Sequence, residues 1–432
     1  MEFIVQAFLD VWNFYSQIFG SEVFRKSIDF FWVSSYLWAP FVLALIFWNV
    51  WIRYIRAKFL SEQKWVMLEL KLPPEVNKSP LAMELALVGL HQTGREGDWY
   101  AKYIKGKSRT FFSLEIASFE GNIHFYIRTE ESFKNIVEAQ IYGQYPDVEI
   151  DEVPDYTEFM PYFDKKKWSV FGQHYLLTKP DSYPIRTYVD YKLDKDPKEE
   201  YKIDPITTVL EFMSLLGKGE YMWLQFVIRS HKTKPTGQLF DKGTDWATET
   251  KKLYKKLHDE FSTVTDISGK PILDQNGKPQ RRFLTTVETE MLEAVNRSTS
   301  KLGFDVGIRS IYFSPIDING KSNFVGSRIS GVINLLKAFN HGHMNGFKPD
   351  KTTSFDFPWE DIGDLRLNHK KWIMVDAYRR RSFFHPPYKY PEFVLNQEGL
   401  ATVFHLPGTI LQTPSVNRVQ SRKATPPNNL PF

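Results

Sequence analysis

The alternation of apolar and polar residues separates an N-terminal apolar segment from a body of predicted strands and helices. The run from Phe30 to Ile52 contains no charged residue, and Asp29 and Arg53 bound it. At about 1.5 Å per helical residue this run spans roughly 34 Å, which is enough to cross the hydrocarbon core of a bilayer. We therefore expect a transmembrane helix over residues 30–52.

Aromatic and basic residues mark the ends of this run. Tryptophans lie towards both ends, as in the aromatic belts of membrane proteins: Trp32, Trp38, Trp48 and Trp51. Basic residues are more frequent after the run than before it, with Arg53, Arg56, Lys58 and Lys64 against Arg25 and Lys26. This asymmetry predicts a single-pass protein of the inner (cytoplasmic) membrane whose body is cytoplasmic. A buried soluble helix is a weaker alternative, and a cleaved signal peptide is weaker still.

A second apolar stretch, residues 3–19, carries its polar residues on a narrow stripe: Gln6, Asp10, Asn13 and Gln17. Spacings of three and four residues place this stripe on one face of a helix. We expect an amphipathic helix within residues 1–29 that lies in the membrane interface or packs beside the span. A short second span is an open alternative.

Residues 60–160 show the pattern of an α+β domain. Strands are predicted at 65–72, 110–119, 123–128 and 148–153 from β-rich runs bounded by turn residues. Ser79-Pro80 predicts the start of one helix, and Thr129 predicts the cap of another. The resulting order, βαββαβ, is that of the ferredoxin-like unit.

Residues 161–340 predict a second, looser α+β domain. A hairpin is expected from 168–178 and 185–191, and further strands from 221–229 and 306–313. Asp204-Pro205 and the capping-box pattern from Thr285 to Glu288 each predict a helix start, and a last helix is expected over 324–339. Residues 231–283 are predicted to be an insertion containing a helix near 244–262. The fold class is therefore α+β, with two ferredoxin-like (βαββαβ-type) units after the transmembrane helix.

Residues 341–432 are predicted to be an irregular, basic, Pro-rich tail with one short helix within 393–405. From Arg366 onward the sequence has ten Lys or Arg and three Asp or Glu, a local net charge of +7. Within it, Arg379, Arg380 and Arg381 precede Phe383 and Phe384. Arginines interleaved with aromatic rings suit single-stranded nucleic acid, and equally an acidic protein partner. We take these five residues as the candidate contact site.

The sequence offers little towards catalysis. It has no cysteine, which excludes thiolate chemistry and sulfur-ligated metals, and a net charge of only +4. The phosphate-loop pattern GxxxxGK[ST] is absent, and His341-Gly342-His343 is more typical of a loop than of a metal site. We expect no enzyme activity, no cofactor and no metal.

Several sequence segments of the body carry a resemblance to a known family: Phe112–Ile116, Glu120-Gly121, His124–Arg128, Val137–Tyr142, Gln144–Pro146, Val148–Ile150, Phe393–Asn396, Leu400–Gly408 and Thr413-Pro414. They resemble the membrane-anchored N-terminal region of HerA/FtsK-like conjugative-transfer ATPases, which are linked to type IV secretion. In that family the closing proline-rich phrase leads into a motor domain, whereas this sequence ends at Phe432. The resemblance therefore implies a relative without a motor, working with a separate ATPase.

These observations favour a membrane-anchored, non-catalytic platform in a machine resembling type IV secretion or conjugative DNA transfer. Its expected partners are membrane lipid and a separate HerA/FtsK-like ATPase. Two alternatives stay open: a membrane-tethered nucleic-acid-binding protein, and a structural, self-assembling component of the cell envelope, which would form a homo-oligomer.

Overall fold

A computed structural model describes residues 22–73, 78–94, 98–194, 204–232, 245–264, 271–273, 279–355, 357–361 and 363–408. The predicted helix within residues 3–19 and the final residues 409–432 lie outside these ranges.

The N-terminal part of the described chain is helical. Helix α1 covers Glu22–Val33, and helix α2 covers Ser35–Glu62 with Pro40 inside it. Helix α2 is long and apolar enough to cross a membrane, with a mean hydropathy of 1.6 in its most apolar window and none of that window buried. It continues past Ile52, the end of the uncharged run, so its last turns extend beyond the predicted span.

The first half of the body has the predicted order of strands and main helices, with one additional short helix that was not predicted. Its strands are β1 (Trp65–Lys71), β2 (Phe111–Phe119), β3 (Asn122–Glu130) and β4 (Glu149–Val153). Its helices are α3 (Pro80–Gly89), α4 (Trp99–Tyr103) and α5 (Lys134–Gln144). Helix α5 starts later than Thr129 predicted, because β3 continues to Glu130 and buries Thr129. These four strands are ordered β4-β1-β3-β2, and all their pairings are antiparallel.

The second half repeats this arrangement. Its elements are β5 (Trp168–Leu177), α6 (Pro205–Ser214), β6 (Tyr221–Ser230), α7 (Trp246–Ser262), α8 (Thr286–Thr299), β7 (Gly303–Pro315), α9 (Arg328–Ile333) and β8 (Phe347–Asp350). The strands are ordered β6-β7-β5-β8, so the first strand of each set again lies between the third and the fourth. The two sets join through their second strands, β2 and β6, into one antiparallel sheet.

One strand was predicted in the wrong place. Residues 185–191 form turns, and Ile185 makes only an isolated parallel bridge to Asn345. The neighbour of β5 at this edge is β8, which was not predicted. Ile185 and Tyr188 are buried although they lie in a segment of turns. A short apolar run does not show whether its backbone is a strand or a turn, and this explains the error.

The prediction that the segment from residue 341 is irregular apart from one short helix is wrong for two strands and one long helix. Besides β8, this segment forms α10 (Leu365–Arg379), β9 (Phe393–Asn396) and the predicted short helix, α11 (Gln397–Val403). Strand β9 pairs with the first residues of β7, Gly303–Val306. Strand β5 pairs with the later residues of β7, from Ile308 onward.

Helices and loops cover both faces of the sheet. The main core lies under α3, α5, α6, α9 and α11 on one face. On the other face, α10 packs Met374, Val375 and Tyr378 against Trp223 and Phe313, together with buried residues of segment 156–163. The C-terminal segment, from residue 341 onward, therefore helps to complete the core, because without α10 part of this face of the sheet would be exposed to water.

Gly307 tests how closely the C-terminal segment packs on the central strand β7. A Cβ atom at this position would lie 2.3 Å from the Phe383 ring. We expect Gly307→Ala to lower the free energy of unfolding by about 1–3 kcal/mol, as overpacked core sites do. Gly326→Ala is the control, since its Cβ would meet nothing within 4 Å. Denaturant titration followed by tryptophan fluorescence measures both, and equal stability of the two variants would contradict this packing.

Candidate functional site

The predicted contact residues lie where the end of α2 meets the C-terminal segment, but most of them face inward. Arg381, Phe383 and Phe384 are buried, whereas the Arg379 and Arg380 side chains are 39% and 54% exposed. Both exposed arginines pair with Asp376 on α10. The expectation that all five residues form an accessible contact surface is therefore wrong for Arg381, Phe383 and Phe384.

Arg381 is buried because two carboxylates of the first half of the body receive it. Its Nε and Nη2 atoms donate to the two oxygens of Glu115 at 2.9 and 3.1 Å. Its Nη2 also donates to Asp155 Oδ1 at 2.9 Å, and its Nη1 to Asp155 Oδ2 and to the carbonyl of Arg379. A buried guanidinium with two carboxylates and a fork of hydrogen bonds is a strong, directional contact.

Glu115 is the centre of this charged cluster. It also accepts hydrogen bonds from Tyr156 Oη at 2.6 Å and from Gln225 Nε2 at 2.9 Å. Burial alone would raise the pKa of Glu115, but the charge and hydrogen bonds of Arg381 outweigh burial and hold the pKa below its usual range. The carboxylate is therefore ionised at neutral pH, as the buried ion pair requires.

A second buried cluster surrounds Phe384. The Arg229 guanidinium lies 4.2 Å from the centre of the Phe384 ring and donates from Nε to Asp305 at 2.9 Å. Asp305 also accepts a hydrogen bond from His231 Nδ1 at 2.6 Å. The Phe384 ring thus packs on Arg229, which is already paired with Asp305, in a cation–π contact inside the protein. The ring is therefore not exposed to a binding partner.

A cavity of about 230 Å³ lies between these clusters and the last turns of α2. Its lining comes from three elements: Ala57, Leu60 and Ser61 of α2, Phe111 of β2, and residues 380–387 of the C-terminal segment. The cavity exceeds the roughly 150 Å³ that is enough to hold a benzene molecule. Its lining is mostly apolar, so it suits a small apolar group.

His385 and Ser382 line the same cavity without forming a nucleophile–base pair. The Ser382 hydroxyl donates to the backbone carbonyl of His385 at 3.1 Å, and His385 Nε2 is buried with no hydrogen-bond partner. Burial, followed by the positive charges of Arg229 and Arg56, lowers the pKa of His385 to about 3. Its imidazole is therefore neutral at physiological pH, in electropositive surroundings.

The predicted anchor residues lie along α1 and α2. Trp32, Trp38 and Trp48 are exposed, as side chains that face lipid would be. Trp51 behaves differently, because its indole Nε1 donates to the carbonyl of Tyr103 at 3.0 Å. Arg53 is exposed and Arg56 is partly buried. The span thus meets the body at its C-terminal end.

An exposed aromatic ridge, which the sequence reasoning did not anticipate, leads into α10. It consists of Phe357, Trp359, Leu365 and Trp372, which are between 42% and 73% exposed. The Phe357 and Trp359 rings stack with centroids 4.6 Å apart, and Lys370 and Arg366 lie over the neighbouring Phe355 ring. Large exposed aromatic side chains that lie close together in the sequence, next to basic residues, are typical of partner-binding surfaces.

Candidate metal ligands are sparse among the described residues. No group of three or more His, Asp or Glu side chains suited to a metal ion occurs there. The His341 and His343 rings lie 5.9 Å apart.

The described residues form an α+β body that follows an apolar helix, α2, which is long enough to span a membrane. The chain belongs to the family described as a domain of unknown function, DUF8128, which matches residues 57–419. That match begins in the last turns of α2 and includes all the residues that line the cavity. No curated protein matches the chain.

Arg381 and its neighbour Arg380 form a matched pair for testing the buried cluster. We expect Arg381→Ala to cost about 3–5 kcal/mol of folding stability, because it leaves Glu115 and Asp155 without their buried countercharge. Arg380→Ala should cost only about 0–1 kcal/mol, since its pair with Asp376 is half exposed. Denaturant unfolding of both variants measures the difference, and similar small losses for both would show that the cluster does not stabilise the fold.

Proposed function

We propose that this protein is a membrane-anchored, non-catalytic subunit of a machine resembling type IV secretion or conjugative DNA transfer. It would act as a cytoplasmic platform for a separate HerA/FtsK-like ATPase. The observation that carries the proposal is the continuity of α2: an exposed, apolar helix ends in turns that are fixed to the body.

The contacts at the end of α2 support the role of an anchor. Ile55 is buried, Trp51 donates to the backbone at Tyr103, and Leu60 lines the cavity beside the C-terminal segment. A flexible tether would need none of these contacts. A helix held in this way would fix the position of the platform relative to the membrane surface, which suits a subunit that must hold a motor at a pore.

The sheet topology supports the finer part of the fold interpretation. Each half of the body has a first strand between its third and fourth strands, which is the order of a ferredoxin-like unit. We interpret the body as two such units, with α7 and α8 inserted between the second and third strands of the second unit. Most of the segments that carry the resemblance lie on β2, β3, α5, β4, β9 and α11, so the resemblance concerns the platform.

The aromatic ridge is the partner surface that we favour for the ATPase. The ridge lies within or just before the basic segment from Arg366 onward, and Arg366 and Lys370 lie over the ring of Phe355, two residues before the first ridge residue. Large exposed aromatic side chains contribute most of the binding energy at many interfaces, and basic neighbours favour an acidic partner surface.

Direct nucleic-acid binding is the weaker alternative. Its candidate residues Arg381, Phe383 and Phe384 are buried, so stacking on bases would require part of the C-terminal segment to detach from the sheet. Arg379 and Arg380 remain at the surface, but both are paired with Asp376. Little unpaired basic charge therefore remains exposed at Arg379 and Arg380 for binding to a phosphate backbone.

Affinity purification of the full chain from native membranes in mild detergent tests the proposal. We expect a HerA/FtsK-like ATPase to be enriched with the wild-type protein. Combining Trp359→Ala with Trp372→Ala should reduce its recovery about tenfold or more, as the loss of two interface aromatics does.

The control combines Phe283→Ala with Ile318→Ala, because both side chains are fully exposed away from the ridge sequence. This control should recover as much ATPase as the wild type. Absence of any such ATPase from the wild-type preparation would contradict the proposed function. Equal recovery with the ridge variant would contradict only the choice of surface.

A further inference from the structure

The short helix α4 exposes large apolar side chains close to the end of the membrane helix. Trp99 is 62% exposed, Tyr100 57% and Ile104 37%. Exposed tryptophan and tyrosine cost more than most side chains when water surrounds them, because each carries a large apolar ring surface. We expect this group of exposed apolar side chains, at and just after one short helix, to be covered by another molecule.

Contacts with α2 fix the height of α4 along the membrane helix. The Tyr103 ring lies 5.7 Å from the Trp48 ring, and the Tyr103 carbonyl accepts the hydrogen bond of Trp51. After α4, Gly106 has a φ of 64°, and a Cβ on it would lie 2.4 Å from the Ile55 carbonyl oxygen. Only glycine allows this approach without strain, so the backbones of α2 and of the α4 loop are in direct contact.

The contacts place α4 at the end of the predicted span. Trp48 and Trp51 belong to the uncharged run, which ends at Ile52. The Trp99 ring lies 5.9 Å from Tyr103, so Trp48, Tyr103 and Trp99 form a continuous series of rings leading outward from the helix. If α2 spans a bilayer, these rings are at the depth where hydrocarbon gives way to headgroups, which is where tryptophan and tyrosine are enriched.

The charge of this segment points to the same partner. From Trp99 to Arg109 the sequence contains Lys102, Lys105 and Lys107 and no acidic residue. The Lys102 and Lys105 ammonium groups lie over the rings of Tyr103 and Tyr100, at 5.3 and 5.5 Å from the ring centres. Basic side chains next to interfacial aromatics suit the negative surface of a membrane that contains anionic lipid.

We propose that α4 is a second membrane contact, in which Trp99 and Tyr100 enter the lipid interface while Lys102 and Lys105 bind anionic headgroups. This inference rests on the proposed anchoring by α2. Together, one spanning helix and one interfacial helix beside it would set the tilt and rotation of the platform, which a single span leaves free. A lipid surface is the occupant that we favour over a protein because the patch continues directly from the span.

The absence of cysteine from the chain allows a clean test. Single variants Trp99→Cys and Tyr100→Cys are labelled with a nitroxide in the full chain, reconstituted in lipid discs of phosphatidylcholine with and without phosphatidylglycerol. Collision rates with oxygen, which dissolves in lipid, and with a water-soluble nickel chelate report the depth of each label. Leu43→Cys in the span and the fully exposed Ile318→Cys give the lipid and water references.

We expect labels at 99 and 100 to collide more with oxygen and less with nickel than the label at 318, and most clearly so in anionic discs. Combining Lys102→Glu with Lys105→Glu should shift the label at 99 towards the water reference. The same exchange at Lys251 and Lys252, which are exposed on α7, should have no effect.

The inference would be overturned if the labels at 99 and 100 match the label at 318 while the label at 43 still reports a lipid environment. If position 43 also reads as water, the proposed anchoring itself fails.

Discussion

The burial of Arg381 is the constraint on which the rest of this structure depends. A guanidinium withdrawn from water is tolerated only when charged acceptors replace the solvent, and here Glu115 on β2 and Asp155 after β4 do so. The backbone of Arg381 has a φ of 51°, in the left-handed region that residues other than glycine seldom adopt. The ion pairs of its side chain must therefore outweigh some backbone strain. The ion pairs join the C-terminal segment to the first half of the body and fix Phe383 and Phe384 against the sheet.

This attachment gives helix α2 a site to dock. The residues that follow Arg381 form one wall of the cavity, and the last turns of α2 form another. On the other side of α2, the loop after α4 approaches its backbone at Ile55. Helix α2 is therefore held between two parts of the body that are distant in sequence. Both the platform and the interfacial contact that we propose depend on this arrangement.

Local patterns predicted most of the strands and helices, and long-range burial determined what they missed. Turn and cap residues such as Asp204-Pro205 and the Thr285–Glu288 box act within a few residues, and the helices begin where they indicate. Helix α10 escaped prediction because its buried residues, 374–378, follow one another along the axis and form no periodic stripe. The arginine run appeared to be a surface feature because sequence alone does not reveal a partner more than 200 residues away. A signal was present in Glu115, a carboxylate inside the apolar strand Phe111–Phe119, since a charge in such a place needs a partner.

The contacts at the end of α2 predict that this helix and the body form one rigid unit, and a distance measurement between them tests this prediction. Cysteines are introduced at Arg53, just after the uncharged run of α2, and at Ala139 on α5, and both are labelled with nitroxides. Pulsed electron paramagnetic resonance then measures the distance between the two labels in lipid discs. Labels at Ala139 and Lys218, both within the body, provide the reference width. The account predicts a single distance distribution for the first pair, as narrow as that of the reference pair. A broad or multiple-peaked distribution for the first pair alone would show that the helix is only a flexible tether, and would contradict the account.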